Sequence, residues 1–264
     1  MNIQSVDNLK IDPGLPKPER LMIAAEYEVA MRGIAGASLQ NAAKLAGASS
    51  TSYQYYFGQK GFVSNPLSPK ENVIQQILEY RSKSVSAERL SLIERLEASK
   101  GISHSILDKR QGKIVIPPGY VPPYSYQELF LIALVPLAKV IWRQSSSHFA
   151  QFLLMVYLAD PAYLESLTRD DIALSMNYAT DQIDALLQSD GVDQRRIAGL
   201  RSLFVYTVIS QTAFLETTVV PYCSGVGDVI EFLEALVENL ASGYMSTPDN
   251  PDIRQIISDS LADG

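Results

Sequence analysis

Apolar residues recur along most of this chain at the three- and four-residue spacing of a helix, while the two-residue alternation of a half-buried strand is scarce. The pattern predicts an all-α protein. A first helix starts at Pro18, whose fixed φ suits a first turn, and runs through "PERLMIAAEYEVAMRG" to Gly33. Leu21, Ala24, Ala25, Glu28 and Val29 trace its spacing, with Glu28 the one polar member. A short helix from Ser38 to Ala46 follows, with Ser38 as its N-cap, and Gly47 ends it. Ser49 then caps a second short helix reaching Tyr56. After the connection "GQKGFVSNPLSP", one helix is predicted from Lys70 through Ser84 and another over "SAERLSLIERLEAS", capped by Ser86. Residues 101–124 are the least regular stretch, with Pro117, Pro118, Pro122 and Pro123 close together; a small hairpin around Gln111 and Gly112 and a plain loop both fit. Four helical segments come next, at about 125–144, 146–158, 170–188 and 192–219. "PYCSGVGD" interrupts the pattern before a helix at about 228–245, and a tail with one last short helix follows.

At 264 residues the chain can bury a sizeable core, as one large or two modest domains. Its 47% apolar and 19% charged residues describe a folded protein. The net charge of −7 argues against a generic polyanion binder, yet that charge is unevenly spread. Residues 1–70 hold seven Lys/Arg and five Asp/Glu, and the remainder fifteen and twenty-four, so a small basic surplus sits at the front. Cys223 is the single cysteine, which leaves no disulfide framework and no cysteine-based zinc site. His104 and His148 are the only histidines, neither in a metal-ligand spacing. No nucleophile elbow, phosphate-binding loop or dinucleotide fingerprint occurs, so no enzyme, cofactor or metal is expected. The first residues lack the apolar core of a signal peptide, and the most apolar run, "LFLIALVPLAKVIW", is interrupted by Pro136 and Lys139. A soluble cytoplasmic protein with no membrane partner is expected.

The chemistry on offer lies in "LQNAAKLAGASSTSYQYYFGQK", residues 39–60. Two short helices joined by "AGAS" make a helix-turn-helix: Gly47 allows the positive φ of the turn, and Ala42, Ala43 and Ala46 give a slim packing face. On the second helix Ser50, Thr51, Gln54 and Tyr55 fall on the outer side, while Tyr53, Tyr56 and Phe57 are placed to anchor it. Short polar side chains on a rigid helix suit hydrogen bonding to base edges in a major groove. An ordinary helical hairpin with a glycine turn is the other reading of the same spacing.

Here the chain resembles the N-terminal domain of TetR-family transcriptional repressors. "ERLMIAAEYEVAMRGIAGASLQNAAKLAGASS" and "SYQYYFGQK" match the family's first helix, the start of its helix-turn-helix and its aromatic close. The detailed match covers Glu19 to Phe57 and resumes from Lys70 to Arg81. The resemblance implies a sequence-specific DNA-binding regulator, a repressor released from its operator by a small-molecule effector. Ser38, Ser49, Tyr55 and Lys70 would hold phosphates, with Tyr55 rather than Tyr53 as the phosphate tyrosine. Ser50, Thr51 and Gln54 would read bases. Eleven residues (59–69) separate Phe57 and Gly58 from "KENVIQQILEYR", so Lys70 is the better match to the family's lysine, with Lys60 the alternative. That insertion is either a surface extension or a further contact to DNA or the partner subunit. Ala42 and Ala48 stand where the family usually has Ile or Val, which implies looser packing.

The resemblance likewise implies that the remaining helices bind the effector and form a homodimer. "IAGLRSLFVYTVISQTAFLETTVV" and "VIEFLEALVENLASGYM" are long, apolar and adjacent; with their copies they would make a four-helix interface, while packing inside one subunit is the alternative. Two recognition helices then fit half-sites of a palindromic double-stranded operator ~34–36 Å apart. Trp142, His148, Phe149, Phe152, Met155, Met176 and Tyr178 are the candidate effector lining, although such stripes are more often core. The expected organisation is an N-terminal arm (1–16), a helix-turn-helix domain (17–69) with an extended 58–69 loop, a ligand-binding and dimerisation domain (70–246) and a C-terminal tail (247–264). A helical partner-binding protein without DNA binding is the main rival, and a small-molecule enzyme the lesser one.

Overall fold

A computed structural model of the chain describes residues 9, 11–58, 68–102, 107–108, 113–114, 120, 122–143, 148–160, 174–243 and 253–262. Their regular secondary structure is helical apart from one two-residue antiparallel pairing, Leu107 opposite Ile114 and Asp108 opposite Lys113, which agrees with the hairpin alternative; Gln111 and Gly112 themselves lie outside the described residues. Helix α1 (Lys17–Gly36) has Pro18 in its first turn and leaves helical backbone at Gly33, where φ is 68°. Then come α2 (Leu39–Leu45), α3 (Thr51–Phe57), α4 (Pro69–Ser99), α5 (Tyr126–Arg143) and α6 (Phe149–Ala159). They are followed by α7 (Leu174–Ser189), α8 (Gln194–Phe214), α9 (Val226–Ser242) and α10 (Ile253–Ala262). A π-helical turn (Leu215–Val219) and a 3-10 turn (Val220–Tyr222) continue α8 without a break.

Helix α4 corrects the expectation of two helices. It is one 31-residue helix, and it starts at Ser68 and Pro69 rather than at Lys70. Ser68 Oγ accepts from the Glu71 N–H at 3.3 Å while the Glu71 carboxylate takes the Ser68 N–H at 2.7 Å, a capping box. Ser84 and Ser86 lie mid-helix because no Gly or Pro interrupts the stretch and the buried stripe Arg81, Val85, Arg89, Leu92, Ile93, Leu96 runs straight through. Packing of that stripe outweighs the weak helix propensity of serine.

Helix α5 is the centre of the body. Every residue from Tyr126 to Ile141 is buried, and α4, α7, α8, α9 and α10 all pack on it, as expected of a helix that is apolar all round. Its charged residues are met by α4 running antiparallel: Lys100 Nζ pairs with Glu128 at 2.8 Å and Lys139 Nζ with Glu88 at 2.7 Å. Pro136 has no N–H to offer the Ile132 carbonyl one turn earlier. Arg89 supplies the donor, with Nε 3.0 Å from Ile132 O and Nη2 3.3 Å from Ala133 O. Burial pushes this guanidinium down to about 10.

The tail's last short helix forms as α10 and docks on α5 and α9 with Ile257 and Leu261 inward, so it is part of the body's core. Gln194–Tyr222 is long and apolar enough, by length and composition alone, to cross a membrane, and about a third of its most apolar window is buried. A search for uninterrupted apolar runs passes over it, because Ser, Thr and Gln are interleaved with its apolar residues. Its outward face carries Leu203, Tyr206 and Phe214, all exposed.

Candidate nucleic-acid interface

The inward side of α3 is locked. Tyr53 is buried and its hydroxyl donates to the Leu21 carbonyl of α1 at 2.7 Å; burial pushes that hydroxyl's pKa up. Phe57 is buried one turn further on, with its ring 5.6 Å from that of Tyr53. Ala42, Ala43 and Ala46 are all buried, so α2 lies close to its neighbours with no bulky side chain between. Ser38 caps α2 by accepting from the Asn41 N–H at 3.3 Å, and its own N–H goes to Glu28 at 3.2 Å. Glu28, the one polar member of the α1 stripe, is buried and also meets Arg32 at 3.4 Å. It therefore ties the start of α2 to α1. Gly47 takes a φ of 62° in the turn between α2 and α3, and Arg20 Nη1 reaches over to the Ala46 carbonyl at 3.2 Å.

The outward side of α3 is open. Ser49, Ser50, Thr51 and Gln54 are exposed, and Tyr55 is 69% exposed. Two expectations need correction. Ser49 does not cap α3: Ser50 holds the N-cap position without a side-chain bond, and Ser49 Oγ instead contacts Thr51 Oγ1 at 3.0 Å and Ser52 Oγ at 3.1 Å. Neighbouring hydroxyls have won the competition for that oxygen. Tyr56 is not an anchor either. It lies about 100° round the helix from Phe57, is itself exposed, and packs edge-to-face on Tyr55 at 4.8 Å. Anchoring falls to Tyr53 and Phe57, with Ser52 buried beside them.

Basic groups flank this side. Lys70 is half-buried in the first turn of α4, which packs on α3, and Lys44 is exposed in the last turn of α2. Lys60 lies outside the described residues.

The candidate effector residues fall into separate neighbourhoods. Trp142 is half-buried near the end of α5. The His148 ring meets Tyr27 edge-to-face at 4.9 Å, and the His148 backbone N–H donates to Glu26 at 3.0 Å. On α6, Phe149 and Phe152 are buried and stacked at 6.1 Å, while Met155 is half-buried. Tyr178 sits on α7 in different company: its hydroxyl is 2.9 Å from that of Tyr124 and 2.9 Å from Glu97 Oε1, which Tyr124 also reaches at 3.2 Å. Burial pushes both hydroxyls' pKa values up. The side chain of Met176 lies outside the described residues.

Sequence reasoning missed Tyr120 and Gln182 in this second group. Tyr120 donates to Gln182 Oε1 at 3.1 Å, and Gln182, fully buried, has no partner for its Nε2 among the described residues. Exchanging the two amide atoms would only move the deficit to the oxygen, because a tyrosine hydroxyl can accept as well as donate. Tyr120 and Tyr124 come from the Pro-rich stretch, where no periodicity marks a side chain as inward.

No family model matches this chain, and neither a curated protein nor a solved structure matches it.

Proposed function

We propose that this chain is a sequence-specific regulator of transcription that binds double-stranded DNA as a homodimer and is released by a small-molecule effector. The observation that carries the reading is the two-sidedness of α3: Tyr53 and Phe57 lock it from within, while Ser50, Thr51, Gln54 and Tyr55 stand clear of the body. A rigid helix with short polar side chains free on its outer face suits a major groove. Phosphate holding is assigned to Ser38, Ser49, Tyr55 and Lys70, and base reading to Ser50, Thr51 and Gln54.

Selection from a random duplex pool at low salt, followed by gel retardation of the enriched sequences, tests the reading directly. Gln54→Ala is expected to relax sequence preference by the ~1–3 kcal/mol that a good bidentate base contact contributes. Tyr55→Phe is expected to weaken binding to every sequence alike, because a phosphate contact carries no sequence information. Equal loss of selectivity from both changes would contradict the division, and an unenriched pool would remove DNA binding altogether.

The homodimer is supported by the outward face of α8. Leu203, Tyr206 and Phe214 are exposed at helical spacing, and the Phe214 ring lies 6.2 Å from Phe232 of α9. Leu203→Glu with Phe214→Glu is expected to convert a dimer to a folded monomer in sedimentation velocity, and an unchanged sedimentation coefficient argues against this face. The effector half of the reading is supported by the polar group around Gln182, whose buried amide nitrogen has no partner among the described residues.

A further inference from the structure

Helix α6 starts without a cap of its own. His148 holds the N-cap position and makes no side-chain bond to the helix. Carboxylates from other helices meet its first amides instead. Glu216, in the π-helical turn after α8, accepts from the Gln151 N–H at 2.9 Å and from the Ala150 N–H at 3.3 Å. Glu26 of α1 accepts from the His148 N–H at 3.0 Å. Arg81 of α4 holds Glu26 from the other side, with Nε at 2.8 Å and Nη2 at 3.2 Å. Glu26, Arg81 and Glu216 are all buried.

Parts of the molecule with different proposed tasks meet at this joint. Helix α1 carries the Leu21 carbonyl that anchors α3 and packs more extensively on α6 than on α2. Helix α4 links the DNA-binding end to the body. The π turn extends α8, the proposed dimer helix, and π turns inserted into α-helices are frequent at functional sites.

We propose that Glu216 is a positioning residue for DNA binding: by capping α6 it keeps α1, and with it the recognition helix, in place relative to α8, and ionisation of its carboxyl loosens that hold. The proposal rests on the DNA-binding reading above.

A charge count gives the direction. Glu26 from α1 and Arg81 from α4 face Glu216 and cancel each other. The first turn of α6 brings amides but no charged side chain, and the His148 ring is against Tyr27. From α5, Lys139 and Arg143 are both engaged with Glu88 of α4. Glu216 is the only charged residue of its own turn. With Glu216 protonated the joint is neutral; ionised, it holds one surplus buried negative charge beside Glu26.

Burial is the largest influence on this carboxyl and pushes it up to about 8, against the pull of the two amides. The folded protein therefore keeps a proton that the unfolded chain has already lost. The contribution to stability and to the fit of the joint is present at low pH and is lost as pH rises through about 8.

The test uses the full chain and a random-sequence duplex long enough for two half-sites, at low salt. Between about pH 7 and about pH 9 the wild-type affinity is expected to fall roughly tenfold, the most that one proton titrating near the middle of that interval allows. Glu216→Gln, which keeps an acceptor but cannot ionise, is expected to hold its affinity within about twofold over the same interval. In the wild type without DNA, exchange of the Ala150 and Gln151 amides is expected to accelerate beyond the intrinsic effect of pH, a readout that needs no variant to fold. Duplex binding with parallel pH profiles in the two proteins, or with no extra amide exchange, overturns the role of Glu216 and leaves DNA binding standing. Extra amide exchange in a protein that retains no duplex at any pH overturns the DNA-binding reading, and the proposal with it.

Discussion

Arg81→Met is expected to lower folding stability by about 3–5 kcal/mol, the range for removing one partner of a buried ion pair. Arg81 holds Glu26 through two donors, and both side chains are almost fully buried. Methionine fills much of the same space, so lost packing is a minor part of the cost. The main part is a carboxylate left in the interior with the His148 N–H as its remaining described donor. Adding Glu26→Gln to Arg81→Met should therefore recover part of the loss, because the amide removes the orphaned charge while its oxygen still accepts from His148. Urea unfolding of the wild type, the single variant and the double variant measures both effects. A cost under about 1 kcal/mol, as for exposed pairs, would mean that water reaches the site.

The second large effect is a coupling between Arg89 and Pro136. Arg89→Ala leaves the Ile132 carbonyl, which Pro136 cannot serve, without its guanidinium donor in the middle of the core, at about 1–3 kcal/mol for a buried group left unsatisfied, and takes a donor from the Ala133 carbonyl as well. Pro136→Ala restores an N–H that can close the ordinary helical bond to Ile132. The loss on removing Arg89 should then be smaller by about 1–3 kcal/mol when Pro136→Ala is already present, read as the interaction energy of a double-mutant cycle. Strictly additive costs would show that Arg89 acts through packing alone. The proline of α5 and the arginine of α4 are thus expected to be coupled across two helices.

These pairs also mark what could be read along the chain. Helix spacing was clear wherever one side of a helix is apolar: α1, α2, α3, α6 and α8 lie close to where the pattern puts them. The Ser38 cap, the Gly47 turn and the three alanines of α2 follow from local chemistry. The division of α4 failed because two serines looked like a boundary, and only the facing helices keep its stripe of Arg81, Val85 and Arg89 continuous. Ser49 and Tyr56 were misplaced at the scale of a single turn, where a hydroxyl chooses among neighbours within reach and a ring a quarter-turn off the anchor faces solvent. Glu26, Arg81 and Glu216 gave no signal at all. They are ordinary charged residues, 55 and 135 positions apart in sequence, and nothing local separates them from a solvated helix face.

By itself the order of residues determined that this protein is helical, where most of its helices lie, and that a slim helix pair with an outward polar side sits near its front. Those features depend on contacts within a few residues: spacing, caps, turn glycines and small side chains. The tertiary structure alone decided that α1 lies along α6, that three carboxylate and guanidinium groups meet at one helix start, and that Arg89 supplies the donor a proline withholds. Burial raises the strength of such charged and hydrogen-bonded contacts and the cost of leaving them unmade, and burial is a property of the packed chain rather than of any stretch of it.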